Sequence, residues 1–285
     1  MGRDVRTVRR GASIREFLAY YVLVLLAAKR RTKRELIKAI AEESRGNRSY
    51  RPSGVLRVAS AEMDAVLRQL AEQGLVRAPI RGKQWHITSP GRAARSEYER
   101  DKDVGSNAKE RAAQKVVDLL CCDEARQYVL DVGTGQGFLA FKAAERGCRV
   151  LGIDSGAFDY SKDSIQKARQ EAAPRGGTVD FQRADVSQLS DMNETFDYVV
   201  SSQAVHCMRN QPECLAAVYR LLKPGGSFVC SDFLVGHRGF LRHGFHCFLA
   251  LSAEEWRELL PECGFGDVRM HEVDDYLVVE AHKPA

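Results

Sequence analysis

Long hydrophobic runs are scarce in this 285-residue chain. The longest, Phe17 to Ala28, falls short of the roughly 20 apolar residues that a bilayer-spanning helix requires, so no membrane partner is expected. Internal repeats and low-complexity tracts are lacking too, which excludes a repeat array. The eight cysteines contain no C-x-x-C pair and no zinc-ligand spacing. They read as mostly buried free thiols in a reducing compartment, not as a metal or disulfide framework. What remains is a chain long enough for two domains of ordinary size, each able to bury its own core.

Net charge is small overall, +5, but unevenly spread. Residues 1–108 hold 23 Lys and Arg against 12 Asp and Glu, net +11, while residues 109–285 hold 20 against 26, net −6. A basic half joined to an acidic half is a signature of contact with nucleic acid or another polyanion.

The most informative stretch is Val129-Leu130-Asp131-Val132-Gly133-Thr134-Gly135-Gln136-Gly137-Phe138-Leu139-Ala140, an apolar strand running into a glycine-rich turn that opens a helix. Gly133, Gly135 and Gly137 let the backbone approach a ligand where a Cβ would collide. The spacing departs from the dinucleotide pattern: the third glycine comes one position early, and Phe138 stands where Gly or Ala belongs. Asp131 at the strand's end would repel a diphosphate but suits a ligand carrying positive charge. The same grammar recurs downstream. Arg149 to Asp154 is a second apolar run ending in an acid, followed by Ser155, and an acid there can bind a ribose diol. Val179 to Val186 closes on Asp185, Phe196 to Ser202 is a fourth strand, and Leu221 to Cys230 is a turn leading into a fifth. Helical stretches between them imply right-handed crossovers and a parallel sheet with its ligand at the strand C-termini.

On these residues, with Gly152 to Asp154, Ser201 to His206, Leu222 to Gly226 and a tail from Leu251 to Val279, residues 108–285 resemble a class I S-adenosylmethionine-dependent methyltransferase, nearest to its quinone-biosynthesis branch. The resemblance implies a Rossmann-like, doubly wound α/β sheet with S-adenosyl-L-methionine as cofactor. Gly133, Gly135 and Gly137 would pass under its methionine part and Asp131 would lie near its ammonium. Asp154 and Ser155 would take the ribose, Asp185 and the Val186 backbone the adenine, and Ser201 and Ser202 would close the pocket beside the sulfonium. Because a sulfonium is already a good leaving group, such a site works mainly by in-line positioning and exclusion of water. A base is needed only if the acceptor must lose a proton, and His206 is the candidate, with a packing role as the alternative. His237, His243 and His246 fall in the segment that often shapes the acceptor pocket in this fold, where their aromatic and basic surroundings would suit a flat or anionic acceptor; a surface loop is the equal alternative. Cys207, Cys214 or Cys247 would suit a soft acceptor such as arsenite.

The N-terminal part reads as helices at Ile14 to Ala28, Thr32 to Glu43 and Ser60 to Gln73, with Ser60 as N-cap and Gly74 as C′ residue. Leu75 to Ile80 and Gln84 to Thr88 read as two short strands around Arg81-Gly82-Lys83. Through Arg51-Pro52-Ser53-Gly54, Leu67 to Val76 and Ile87 to Arg92 this part resembles the winged-helix domains of PadR-type regulators. The layout is therefore an α+β winged helix-turn-helix domain at 1–96, a linker at 97–107 and the methyltransferase domain at 108–285. Glu62 and Asp64 on the third helix oppose phosphate contact, so DNA binding would have to act through Arg45, Arg48, Arg51, Arg57, Arg81 and Lys83.

Three functions stay open. The first is methyl transfer to a small-molecule acceptor, with the winged helix serving dimerisation or pocket closure; its apolar first helix favours a homodimer. The second is a nucleic-acid-bound methyltransferase, and the third a DNA-binding regulator that senses S-adenosylmethionine or a metabolite. Ser202-Gln203-Ala204-Val205 stands where amino-methylating DNA enzymes carry Asn/Asp/Ser-Pro-Pro-aromatic, and the Pro-Cys pair of base-methylating cysteine enzymes is absent there. A cofactor found inside cells, together with an apolar stretch that belongs to the first helix and not to a signal peptide, implies a cytoplasmic protein.

Overall fold

The computed structural model describes residues 5–45, 52–79, 84–100, 107–120, 127–156, 163–173, 178–208, 210–235 and 250–285. These divide into two compact units, one drawn from Met1–Val104 and Val235–Phe248 and the other from Gly105–Leu234 and Leu249–Ala285.

The first unit contains α1 (Val5–Ala28), β1 (Arg31–Thr32), α2 (Lys33–Arg45), α3 (Pro52–Glu72), β2 (Val76–Arg77), β3 (Gln84–Ile87) and α4 (Ser89–Arg100). Leu18, Val22, Leu23 and Leu26 of α1 bury one stripe against Leu36 and Ile40 of α2 and Met63, Val66, Leu67 and Leu70 of α3. A capping box starts α2: Glu35 N–H donates to Thr32 Oγ1 at 3.2 Å, and Thr32 N–H donates to Glu35 Oε2 at 2.7 Å. A Schellman motif ends α3, with Leu75 N–H bonded to Leu70 O at 2.8 Å and Gly74 N–H to Ala71 O at 3.0 Å, and Gly74 at φ 69°. Gly74 is the C′ residue that the sequence implies. The chain then pairs β2 with β3 and β3 with β1, all antiparallel, in the order β1-β3-β2.

Three boundaries differ from the sequence reading. Helix α3 begins at Pro52, so Ser60 is an interior residue and not an N-cap. Proline at a first helical position lacks only an N–H that has no intrahelical partner anyway, so Pro52 can open the helix. Helix α1 begins at Val5, ahead of Ile14. Helix α4 runs to Arg100 and takes in the first residues of the expected linker. Arg48, Arg51, Arg81 and Lys83 lie outside the described residues, as do the side chains of Arg45 and Arg57. Of the two acids on α3, Glu62 pairs with Arg15 and Asp64 with Lys33 at 2.6 Å, so each faces a cation of its own unit.

In the second unit α5 (Ala108–Asp118) is followed by β4 (Tyr128–Val132), α6 (Phe138–Glu145), β5 (Arg149–Asp154), α7 (Ser164–Ala172), β6 (Val179–Arg183), β7 (Phe196–Ser202), α8 (Gln211–Leu221), β8 (Leu222–Phe233), α9 (Ala253–Glu262), β9 (Gly266–Val273) and β10 (Tyr276–His282). The sheet order is β6-β5-β4-β7-β8-β10-β9. Neighbours from β6 to β8 are parallel, while β10 runs antiparallel to both β8 and β9. Winding proceeds outward from β4 in both directions, which leaves a crevice between the C-terminal ends of β4 and β7. Buried Val129, Leu130 and Val132, with Trp256, Phe196 and Phe228, fill the core. Each of these large side chains contributes about 1.5–3 kcal/mol by leaving water.

The first unit depends on one close approach. Thr88 Oγ1 donates to Gly74 O at 2.7 Å and caps α4 by accepting from Gly91 N–H at 3.1 Å, which presses the start of α4 onto the end of α3. A Cβ on Gly91 would lie 2.0 Å from Leu75 O and 2.8 Å from Ile87 Cγ1. Gly91→Ala is therefore expected to destabilise the first unit by about 1–3 kcal/mol, the usual cost of overpacking, measurable by denaturant unfolding.

Candidate functional site

At the end of β4 the backbone turns back over β5: the N–H groups of Gly133 and Thr134 both donate to Ile153 O, at 2.8 and 2.9 Å. Gly133 has φ 72°, and a Cβ there would lie 2.2 Å from the Cβ of Ala204, which follows β7. The two strand ends are thus locked together through a missing side chain. Gly137 serves packing instead, because a Cβ on it would meet Phe181 at 2.6 Å and Phe141 at 2.8 Å. Gly135 is different. At φ 57° it has no atom within 4 Å of where a Cβ would be, so it faces the open side of the turn. Of the three glycines expected to touch a cofactor, Gly135 has the geometry to do so directly, and Gly133 and Gly137 shape the turn that presents it.

Acids follow β5 and β6 at the same edge of the sheet. Asp154 Oδ2 accepts from Gly135 N–H at 3.1 Å and Oδ1 from Gly156 N–H at 2.8 Å, so one half-buried carboxylate holds both the glycine turn and the loop after β5. Ser155 beside it is exposed, and its carbonyl accepts from Arg183 Nε at 3.4 Å. Asp185 is half-buried and caps a short 3-10 turn, Val186–Gln188, by accepting from Ser187 N–H at 3.0 Å and Ser187 Oγ at 2.7 Å. Val186 itself is buried. Asp131 is not at the mouth, as the sequence reading had it: it is 1% exposed and lies beneath the turn, where Thr134 Oγ1 donates to its Oδ2 at 2.7 Å. Burial pushes the Asp131 carboxyl up to about 7, against the downward pull of Thr134 and the Ala140 N–H and with a further upward push from Asp154.

On the β7 side, Ser201 is buried and its hydroxyl donates to Val132 O at 2.8 Å, so it ties β7 to β4 and does not point into the crevice. Ser202 is half-buried and accepts from Ser231 Oγ at 3.0 Å. His206 is brought to the same end of the sheet, but with 3% of its side chain exposed. Its Nδ1 is 2.6 Å from Asp232 Oδ1, its N–H donates to Asp232 Oδ2 at 2.9 Å, and Phe233 N–H donates to Asp232 Oδ1 at 2.8 Å. Burial opposes charge on the ring, yet the Asp232 carboxylate and its hydrogen bond outweigh it, with a contribution from Cys207, and push His206 up to about 10. A ring held in its charged form near neutral pH donates protons and does not accept them. That favours the packing alternative over the base. His237, His243, His246 and Cys247 lie outside the described residues. The five described cysteines, Cys148, Cys207, Cys214, Cys230 and Cys263, are all free thiols, three of them buried. Among the described residues no group of His, Cys, Asp and Glu could hold a metal ion.

Asp232, Thr134 and Ala204 were missed by the sequence reading. The sequence does carry a signal for Asp232, one more acid closing an apolar run, two residues beyond Cys230.

Residues 123–263 match a family model described as a methyltransferase domain. Over 135 residues the chain is 33% identical to the ubiquinone biosynthesis O-methyltransferase of Alkalilimnicola ehrlichii, covering 47% of this chain and 50% of that one. It is 29% identical over 138 residues to the demethylmenaquinone methyltransferase of Symbiobacterium thermophilum, covering 47% and 51%. The chain thus spans half the length of these curated relatives. Among solved structures, a Haemonchus contortus phosphoethanolamine N-methyltransferase in complex with S-adenosylhomocysteine superposes with a TM-score of 0.53 at 19% identity, covering 61% of this chain and 53% of that one. The CurJ carbon methyltransferase superposes at 0.52 and 14% identity over 99% of this chain and 94% of that one. At such identities the likeness is one of fold. Among the described residues no helix is long and apolar enough to cross a membrane.

Two expectations follow. Gly133→Ala should lower stability by about 2–4 kcal/mol, combining overpacking with a left-handed backbone strain, and Ala204→Gly in the same chain should recover the overpacking part alone. The His206 pair stabilises the fold fully below about pH 6.5, and that contribution is lost as pH climbs through about 10. Asp232→Asn should therefore cost about 3–5 kcal/mol near pH 6, with the gap to wild type narrowing at alkaline pH in denaturant titrations.

Proposed function

We propose that this chain, which carries a class I S-adenosyl-L-methionine-dependent methyltransferase domain at 123–263, transfers the methyl group to a small-molecule acceptor. The observation that carries the proposal is the open face of Gly135 at the crevice between β4 and β7, with its N–H bonded to Asp154 and with Asp185 following β6 at the same edge of the sheet. When bound, S-adenosyl-L-methionine supplies a methyl group on a sulfonium that is already a good leaving group. The chain's own work is then to hold, orient and keep dry. Asp154 and Ser155 would take the ribose, Asp185 and the Val186 backbone the adenine, and the Gly133–Gly137 turn the methionine part. Ser202 borders the sulfonium side, with Ser201 supporting it from behind. His206 acts as a fixed, charged strut and not as a general base, so the favoured acceptor is one that reaches the site as an anion or needs no deprotonation. The likeness to a ubiquinone biosynthesis O-methyltransferase supports a small, flat acceptor whose oxygen is methylated.

For the first unit we infer a winged helix of the PadR type, on the strength of α1 to α3, the β2–β3 hairpin and the caps at Thr32 and Gly74. Its proposed role is dimerisation or pocket closure, in a cytoplasmic homodimer. Domain limits of 1–96 and 108–285 remain our proposal, with the linker shortened by α4. The net charge of +11 on residues 1–108 favours a second reading, in which this unit holds nucleic acid and the protein is a nucleic-acid-bound methyltransferase or a metabolite-sensing regulator. The ion pairs of Glu62 and Asp64 weigh against it, because they leave less unpaired positive charge on that face.

Asp154→Ala is expected to weaken S-adenosyl-L-methionine binding by about 100-fold or more, since it removes a charged acceptor for the ligand and the tie to Gly135 together. Calorimetry on the variant checks this, and unchanged affinity would sink the assignment of the site. A DNA complex whose affinity falls steeply with salt would favour the second reading over the first.

A further inference from the structure

Two carboxyl groups flank the glycine turn, and they are satisfied unequally. Asp154 accepts N–H bonds from Gly135 and Gly156 and is half-buried. Asp131 is 1% exposed and accepts from the Thr134 hydroxyl. The remaining groups facing it are the Ala140 N–H from α6 and, as a charge, Asp154 from the end of β5. Among the described residues no lysine, arginine or histidine forms an ion pair with Asp131. A buried carboxylate with a like charge beside it and no cation is the arrangement in which one of the two acids keeps its proton.

We propose that Asp131 holds a proton in the cofactor-free protein and releases it to solvent when S-adenosyl-L-methionine binds, so that capture of the cofactor is proton-linked. The inference rests on the cofactor assignment above. It gives Asp131 a role distinct from a fixed anionic contact: the O–H bond of its carboxyl breaks, the proton passes to buffer, and the carboxylate left beneath the glycine turn acts through space on the positive charge the ligand brings above it. Burial already holds the carboxyl near the point where this is easiest, up to about 7. The ligand supplies the missing cation, which favours the charged form.

Calorimetric titration of the full chain with S-adenosyl-L-methionine tests the proposal. It is run at about pH 6, well below the ligand's own α-amino group at about 7.7–8.0. Two buffers of different ionisation enthalpy are compared. Release of about one proton per ligand is expected, with affinity rising about tenfold per pH unit below about pH 6.5 and levelling above about 7. Asp131→Asn should abolish both the release and the slope. Binding with the same heat in both buffers overturns the proposal while leaving the cofactor assignment standing, and so does undiminished release from Asp131→Asn. No binding at any pH overturns both. The wild-type buffer comparison decides the matter by itself if the variant does not fold.

Discussion

Everything at the crevice depends on how closely the chain after β7 can approach the turn after β4. With Gly133 carrying no side chain, Ala204 sits where a Cβ would be, and the two strand ends meet through backbone and one methyl group. That contact permits the rest. The Gly133 and Thr134 N–H groups reach Ile153 O, Ser201 reaches Val132 O, and the turn stays low enough for Asp154 to bond Gly135 from below. A single added carbon at Gly133 would pry apart the sheet's two halves at their switch point. Gly152 shows the same economy on β5, where a Cβ would run into Phe181 and the Thr134 hydroxyl. The ligand-facing surface is thus mostly backbone, backed by side chains that hold the backbone still.

Much of this second unit was legible in the sequence, because strand and acid recur together. Runs ending at Asp131, Asp154 and Asp185 announced three parallel strands and the edge at which they finish. The sequence could not say which way each acid faces. Asp131 reads identically whether it looks into the crevice or under it, and only the Thr134 bond and the burial decide. Ser201 and His206 show the same ambiguity: a polar residue at a strand end is as useful for tying strands as for touching a ligand, and for His206 the buried Asp232 pair favours the packing alternative. Asp232 escaped notice because its strand was stopped short.

The first unit was less legible. Its helices carry clear apolar stripes, but Ser60 reads as an N-cap in the sequence while the helix starts earlier, at Pro52. Charge was misleading in a similar way. A net excess of basic residues says nothing of local pairing, and the acids Glu62 and Asp64, which look like obstacles to phosphate, are each matched to a basic residue on another helix. Charge counted along the chain measures the long-range field; what a surface can grip depends on which cations remain unmatched.

The Asp232 carboxylate gathers the His206 ring, the His206 amide and the Phe233 amide onto one buried group. The chain leaving β7 is thereby pinned to the end of β8, beside the bond from Gln203 N–H to Ser231 O at 2.8 Å. Loops beyond such a pin can change length and composition without the disturbance reaching the glycine turn. A half fixed around the glycine turn can then be coupled to many different loops. Versatility of this kind comes from mechanical isolation: a rigid hub on one side of the pin, and freedom to vary on the other.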